Sequence, residues 1–399
     1  MTLCERSNNT RYGTAGQCRK GTEVQYDPKE IEEKYKNNNV LRDKEINLMV
    51  KTIDPLLPRE LDSHAMNVER VGRGFLQMTG EEVNKVREKF NEEQKRILER
   101  LEEGSFGEKE FKEYVKSSAI EIGMKDKVVI IGMEPGLSGL SEVKKDGDYD
   151  KYHDGINKAF AKSYASHVLK EQLPENQAIL LKALSWGDQR GSKVPWSSFH
   201  SNLLPLTSSL GNIPLANKYA SVLQKHNVGE AELRPLPVPK MSSGPVGWPY
   251  PNLPWVKSNP ELSKILSSRE TYYQYTDSVR TKEISRKLSE AFSKGELKTV
   301  IFATGTTNKE ATTNMIDQIL KDNPKAISRE FTYQRGLKSE EVAQGRIIDI
   351  DGTGAKFIYD IGPSVNFQGL SWPTSAASLL TIRDQMNAER AQEFTRRMP

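Results

Sequence analysis

The spacing of hydrophobic positions changes character near residue 127, and the change separates a helical stretch from an α/β stretch. Before it, Thr79 precedes Glu81 and Glu82, after which Val83, Val86, Phe90, Ile97 and Leu101 recur at helical intervals with Glu and Lys between them. A hydroxyl ahead of an acidic first turn and a one-sided apolar stripe predicts an amphipathic helix, ended by Gly104 and Gly107. A second helix is expected over Glu108 to Ser118, so residues 26–120 read as a helical N-terminal region. At Lys127 the period gives way to a continuous apolar run, Val128-Val129-Ile130-Ile131, closed by Gly132. Apolarity at every position is what a strand covered on both faces by a parallel sheet's helices requires. A comparable strand is expected at Thr299 to Ala303, and another at Phe199 to Leu204. Helices are expected at Asn157 to Glu171, Leu262 to Lys294, Lys309 to Lys321 and Thr374 to Arg397. Arg346 to Ile350 and Lys356 to Tyr359 read as paired strands, because the Asp351-Gly352-Thr353-Gly354 link tolerates the positive backbone angles of a tight turn. The expected fold class is therefore α/β, with a mostly parallel sheet flanked by helices and a helical addition at the N-terminus.

Proline breaks this pattern between 235 and 260, where Pro235, Pro237, Pro239, Pro245, Pro249, Pro251, Pro254 and Pro260 argue against helix or central strand. The segment reads as a long loop inserted in an α/β domain that spans 121–399. Its Trp248, Tyr250 and Trp255 serve either a binding surface or the attachment of the loop to the domain. Residues 1–25 carry Arg6, Arg11, Arg19 and Lys20 among small polar residues and read as a flexible basic arm. The net charge of +4 comes from 58 basic and 54 acidic residues, so charge by itself names no polyanionic partner. Cys4 and Cys18 lack the second pair of a four-ligand zinc site and read as free thiols. No apolar stretch approaches the roughly 20 residues of a membrane span, and the N-terminus lacks the apolar core of a secretion signal. The expectation is a cytoplasmic protein with neither metal nor cofactor, its oligomeric state open.

The candidate chemistry follows the first strand. Gly132-Met133-Glu134-Pro135-Gly136 occupies the carboxyl end of a central strand, where open α/β sheets bind their ligands. Its glycines permit close backbone approach, Pro135 stiffens the turn, and Glu134 is its one ionisable group. Further along, Phe199-His200-Ser201-Asn202-Leu203-Leu204 places His200 and Asn202 on one face of the expected strand. The last expected strand runs into Gly362-Pro363-Ser364-Val365-Asn366-Phe367-Gln368-Gly369-Leu370. Taken in this order, the segments resemble the uracil-DNA glycosylase superfamily over residues 125–390. The resemblance implies a central four-stranded sheet and activity on a base extruded from DNA. It implies that Glu134 activates or positions water, that Asn202 reads the base edge, and that the loop from Gly362 through Pro363, Ser364, Asn366, Phe367 and Leu370 enters the duplex. The family's histidine in a His-Pro-Ser loop is replaced by Gly362, which puts ordinary uracil excision in question and points to a bulkier base or to lost catalysis. His200 is a candidate substitute. The resemblance also aligns Thr304-Gly305-Thr306-Thr307 with a strand-end glycine that contacts DNA phosphate.

The residue types suit this chemistry in their own right. Cleavage of an N-glycosidic bond develops positive charge on the sugar, which a carboxylate stabilises while it takes a proton from water. A base shielded in a duplex must first leave the stack, and an amide such as Asn202 offers both a donor and an acceptor to its edge. Met133, Pro135, Gly136, Tyr149 and Tyr152 are candidates for the pocket wall, the tyrosines for stacking; Phe160 reads as core. The same fold with its chemistry lost would be a nucleic-acid-binding module, and strand-end glycines also suit a nucleoside-processing enzyme. Thr304 to Thr307 lacks the lysine spacing of a P-loop. Within the glycosylase reading, a modified cytosine of phage DNA is the expected substrate, with repair or antiviral defence as the role. The helical N-terminal region is a further candidate contact for DNA or protein.

Overall fold

The computed structural model describes residues 26–37, 80–118, 120–122, 128–132, 149–174, 181, 206–207, 209–211, 228–237, 248–295, 297–304, 308–334, 342–361 and 371–397. In chain order these form α1 (Pro28–Asn37), α2 (Gly80–Glu102), α3 (Glu108–Ser117), β1 (Ile120–Glu121), β2 (Val128–Gly132), α4 (Tyr149–Lys170) and β3 (Val228–Glu232). There follow α5 (Pro254–Lys257), α6 (Pro260–Ile265), α7 (Arg269–Ser293), β4 (Thr299–Phe302), α8 (Lys309–Asp322), β5 (Ile327–Gln334), β6 (Val342–Asp349), β7 (Phe357–Asp360) and α9 (Trp372–Arg397). The strand expected at 199–204 lies outside the described residues; the described strands form one sheet of seven in the order β1-β3-β2-β4-β7-β6-β5. Its four central strands, β3, β2, β4 and β7, run parallel, whereas β1 and the β5–β6 pair are antiparallel additions at the edges. The sheet therefore exceeds the expected four strands because polar edges extend an apolar centre.

Alternation along the central strands distributes side chains to two cores. Val129, Ile131, Val300, Phe302 and Ile358 pack with Ile284, Leu288 and Phe292 of α7 and Met315, Ile316 and Ile319 of α8. Val128, Ile130, Ile301 and Tyr359 face the other way, onto Ala376, Leu379, Leu380 and Met386 of α9. The β6–β7 link forms the expected hairpin turn, with Gly352 at φ 66° and Gly354 at φ 78°. A Cβ on Gly354 would also meet Nη2 of Arg390, a guanidinium whose Nη1–H donates to the buried Asp349 carboxylate, which also accepts from the Gly354 N–H at 2.8 Å.

A third core joins the N-terminal helices to the α/β region. Phe90, Ile97 and Leu101 of α2 and Phe111, Tyr114 and Val115 of α3 are buried with Ile156, Phe160 and Tyr164 of α4. Into the same cluster the proline-rich segment inserts Tyr250 and Trp255, both fully buried. Trp255 stacks on Phe160 with ring centroids 5.2 Å apart and donates Nε1–H to Asn157 at 3.1 Å. These aromatics therefore attach the segment to the helices. The expectation that proline excludes helix from 235–260 is corrected here. Pro254 and Pro260 each occupy the start of a short helix, where a missing N–H leaves no intrahelical bond unmade. The single helix expected over Leu262 to Lys294 is likewise two, because the Ser268 hydroxyl accepts from Thr271 N–H and begins α7 afresh. The helix expected from Asn157 already begins at Tyr149.

Tyr114 shows what this core does to a buried hydroxyl. Its OH donates to the Pro235 carbonyl at 3.1 Å and lies 2.8 Å from the Ser163 hydroxyl, and burial pushes its pKa up to about 12. A folded-state pKa above the unfolded value of 10.0 means full stabilisation below pH 10, lost as pH rises towards 12. At about 1.4 kcal/mol per pH unit, Tyr114 alone accounts for a loss of about 3 kcal/mol across that window. Urea unfolding at pH 9 and pH 11.5 should show most of this loss, and Tyr114→Phe should reduce the fall without abolishing it, because burial raises Tyr164, Tyr272 and Tyr359 as well; a wild-type stability unchanged across the window contradicts the assignment.

Candidate functional site

The four parallel strands end along one edge, and hydrogen bonds just beyond the strands hold those ends in line. Leu233 N–H donates to Gly132 O at 3.0 Å, Ala303 N–H to Ile131 O at 2.9 Å, and Ile361 N–H to Phe302 O at 3.3 Å. Neighbouring strands lie about 4.8 Å apart, so the ends of β2, β4 and β7 fall within about 10 Å of one another. The chain passes from β2 to β3 on one side, returns to β4 on the other, and reaches β7 farther out. The order thus reverses between β2 and β4, which is where open parallel sheets leave a crevice for ligands.

Gly132 stands at this point as the last residue of β2, and Thr304 follows β4 beside it. The Thr304 side chain is buried, with its hydroxyl 2.5 Å from the Thr312 hydroxyl of α8. The expectation that this hydroxyl reaches a DNA phosphate is therefore corrected: it fastens the strand end to the helix. Thr304→Val keeps the shape and orphans the Thr312 hydroxyl, so it should lower stability by about 1–2 kcal/mol in denaturant titration without weakening binding of a DNA duplex. A Thr304→Val protein of normal stability and impaired DNA binding contradicts that role.

Tyr149 and Tyr152 lie in the first turns of α4. Met133, Glu134, Pro135, Gly136, His200, Asn202, Gly305, Thr306, Gly362, Pro363, Ser364, Asn366, Phe367 and Leu370 lie outside the described residues. Of the segments carrying them, 133–136 leaves the end of β2, 305–307 that of β4 and 362–370 that of β7.

Beside the crevice the structure adds an ionic cluster that the sequence reading passed over. Arg234, two residues past β3 and 1% exposed, pairs with Asp277 of α7 at 2.5 Å and lies 4.4 Å from the centre of the Tyr273 ring. Burial pushes the Asp277 carboxyl up, and the Arg234 charge opposes the rise. Arg280, fully buried one turn later on α7, donates Nε–H to Glu232 O at 2.6 Å and Nη1–H to Val115 O at 2.8 Å. Burial lowers its pKa to about 10. A sequence signal for it existed: Arg280 interrupts the helical series Tyr272, Thr276, Ile284 and Leu288, all buried. A buried arginine inside an apolar stripe marks a tie between elements. Here it joins the C-terminal turn of α3 to the carboxyl end of β3.

Asn308 also escaped the sequence reading. It immediately precedes α8, is 2% exposed, and donates its side-chain N–H to Thr304 O at 3.0 Å. A separate groove of about 570 Å³ between α3 and α7 is lined by Glu108, Lys109, Lys112, Glu113, Lys116, Tyr275 and Val279. Lys112 pairs there with Glu108 and Glu261, at 2.6 and 3.5 Å. None of its lining residues comes from a strand end, and its charged walls do not suit a stacked base. Among the described residues no helix is long and apolar enough to cross a membrane. Compared with known proteins, the chain matches no family, no curated protein and no solved structure.

Proposed function

We propose that this chain is a DNA glycosylase-like enzyme that extrudes a modified base and hydrolyses its N-glycosidic bond in the crevice between β2 and β4. The observation carrying this reading is the alignment of the β2, β4 and β7 ends at the reversal of strand order, because the Gly132 to Gly136, Thr304 to Thr307 and Gly362 to Leu370 segments leave from those ends. In this reading the four parallel strands are the glycosylase-like core, while β1, the β5–β6 pair and the N-terminal helices are additions to it.

Glu134 then stands at the carboxyl end of the central strand, where its carboxylate takes a proton from water and offsets the positive charge of the sugar. The oxygen of that water bonds to the anomeric carbon as the bond to the base breaks, and the base leaves with the bonding electron pair. Asn202 reads the base edge, with His200 beside it, and Phe367 and Leu370 fill the place the base vacates in the stack. Because Gly362 stands where the family has histidine, stabilisation of the leaving base falls to other groups. A base bulkier than uracil fits that loss, and a modified cytosine of phage DNA, removed in antiviral defence, is the favoured substrate.

The test is direct. Duplexes carrying uracil, a mispaired cytosine or a hypermodified cytosine are incubated with the full chain and then heated in alkali. Strand breaks at the modified position support the reading; intact strands from every substrate, with DNA binding retained, leave a binding module instead.

A further inference from the structure

Asn308 holds a hydrogen-bonding group that the fold leaves unused at the crevice. The Thr304 carbonyl can only accept, so the amide must turn its N–H towards it, and this fixes the side-chain oxygen on the other side. That oxygen is buried and, among the described residues, has no hydrogen-bond partner. An asparagine just before a helix ordinarily uses this oxygen to cap the first turn, yet Asn308 makes no such bond, and α8 begins without a side-chain cap. Its backbone, at φ −111° and ψ 17°, departs from the extended form that capping takes. Two side-chain contacts, Asn308 to Thr304 O and Thr304 to Thr312, tie the end of β4 to the start of α8.

A buried acceptor without a donor is costly and calls for an explanation, and beside a ligand crevice a donor brought by the ligand is one. We infer that Asn308 is a specificity-determining residue whose side-chain oxygen accepts an N–H from the bound ligand. This inference rests on the glycosylase reading, within which the donor is the exocyclic amino group of a cytosine-type base. A keto group at the same position, as in a uracil-type base, presents a second acceptor and is repelled. The residue thus explains a preference for amino-bearing bases that Asn202, which offers a donor and an acceptor alike, does not impose.

The experiment compares duplexes bearing a 5-substituted cytosine with duplexes bearing the uracil of the same substituent. Binding is measured to the wild-type chain, Asn308→Leu and Asn308→Asp, with thermal melting as the control for folding. Wild type should favour the amino-bearing duplex. Asn308→Leu should bind it about tenfold more weakly, the loss expected from one hydrogen bond in a dry site, and should bind the keto-bearing duplex more tightly than wild type does, because the repelling oxygen is gone. Asn308→Asp exchanges the N–H given to Thr304 O for a second acceptor, so it should repel the keto-bearing duplex further and widen the preference, and this change carries the test if the leucine variant does not fold. Equal loss for both duplexes makes Asn308 merely structural, and no loss for either means that water serves the oxygen; each result overturns the inference while leaving the glycosylase reading standing. A wild-type chain that binds no duplex overturns both.

Discussion

Glu134→Gln should reduce base release by about 10²–10⁴-fold while affinity for the same duplex is retained. The substitution preserves the size of the side chain and removes the carboxylate to which the proposed mechanism gives the proton of the attacking water. Single-turnover release of base, measured with enzyme in excess, separates this step from binding and product departure. Gln at 134 with undiminished release would remove the carboxylate from the mechanism. Weakened binding with no activity in either protein would instead assign the loop to DNA recognition by a non-catalytic module.

Arg280→Leu should give the largest loss of stability, about 3–5 kcal/mol. Leucine fills much of the volume but leaves Glu232 O and Val115 O without the donors that Arg280 supplies at 2.6 and 2.8 Å. Its effect should also be directional, because these bonds tie α3 to the strand end beside Gly132, and Leu233 N–H in turn bonds Gly132 O. Urea titration should show a lowered midpoint with an unchanged slope, the sign of altered stability rather than of an altered unfolded state. A cost below about 1 kcal/mol would mean that water replaces the guanidinium and that the tie is dispensable.

Among the strands, those buried along their whole length were the most legible in the sequence. Val128 to Ile131 and Thr299 to Phe302 are apolar or β-branched throughout because they are central strands, buried along their whole length. By contrast β3, Val228-Gly229-Glu230-Ala231-Glu232, carries glutamates at alternate positions and shows no apolar run, although it pairs directly with β2. The edge strand β5 is equally silent, since Ser328, Arg329, Glu330 and Thr332 are polar and Ile327 is 46% exposed. Proline-rich residues 254–265 misled for a different reason: proline forbids the inside of a helix but favours its first position, and only tertiary contacts of Trp255 and Leu262 decide between the two.

The candidate site divides along the same line. Gly132 at the end of a central strand was legible because an apolar run closing at glycine has few other structural meanings. The roles of Arg234, Asp277 and Arg280 were not, since each depends on partners distant in sequence, Arg280 and Val115 being 165 positions apart; Asn308 was not because its side chain turns back to Thr304 O instead of capping α8. Thr304 was legible as a residue near the crevice but not in its orientation, which depends on the facing hydroxyl of Thr312.

The most direct measurement is the structure of the full chain bound to a duplex containing an abasic-site analogue. The sugar should sit at the ends of β2 and β4, with the Glu134 carboxylate towards its anomeric carbon and the Asn202 amide on the same side. Glu134 and Asn202 on opposite sides of the sheet, or a sugar bound away from those strand ends, would contradict it.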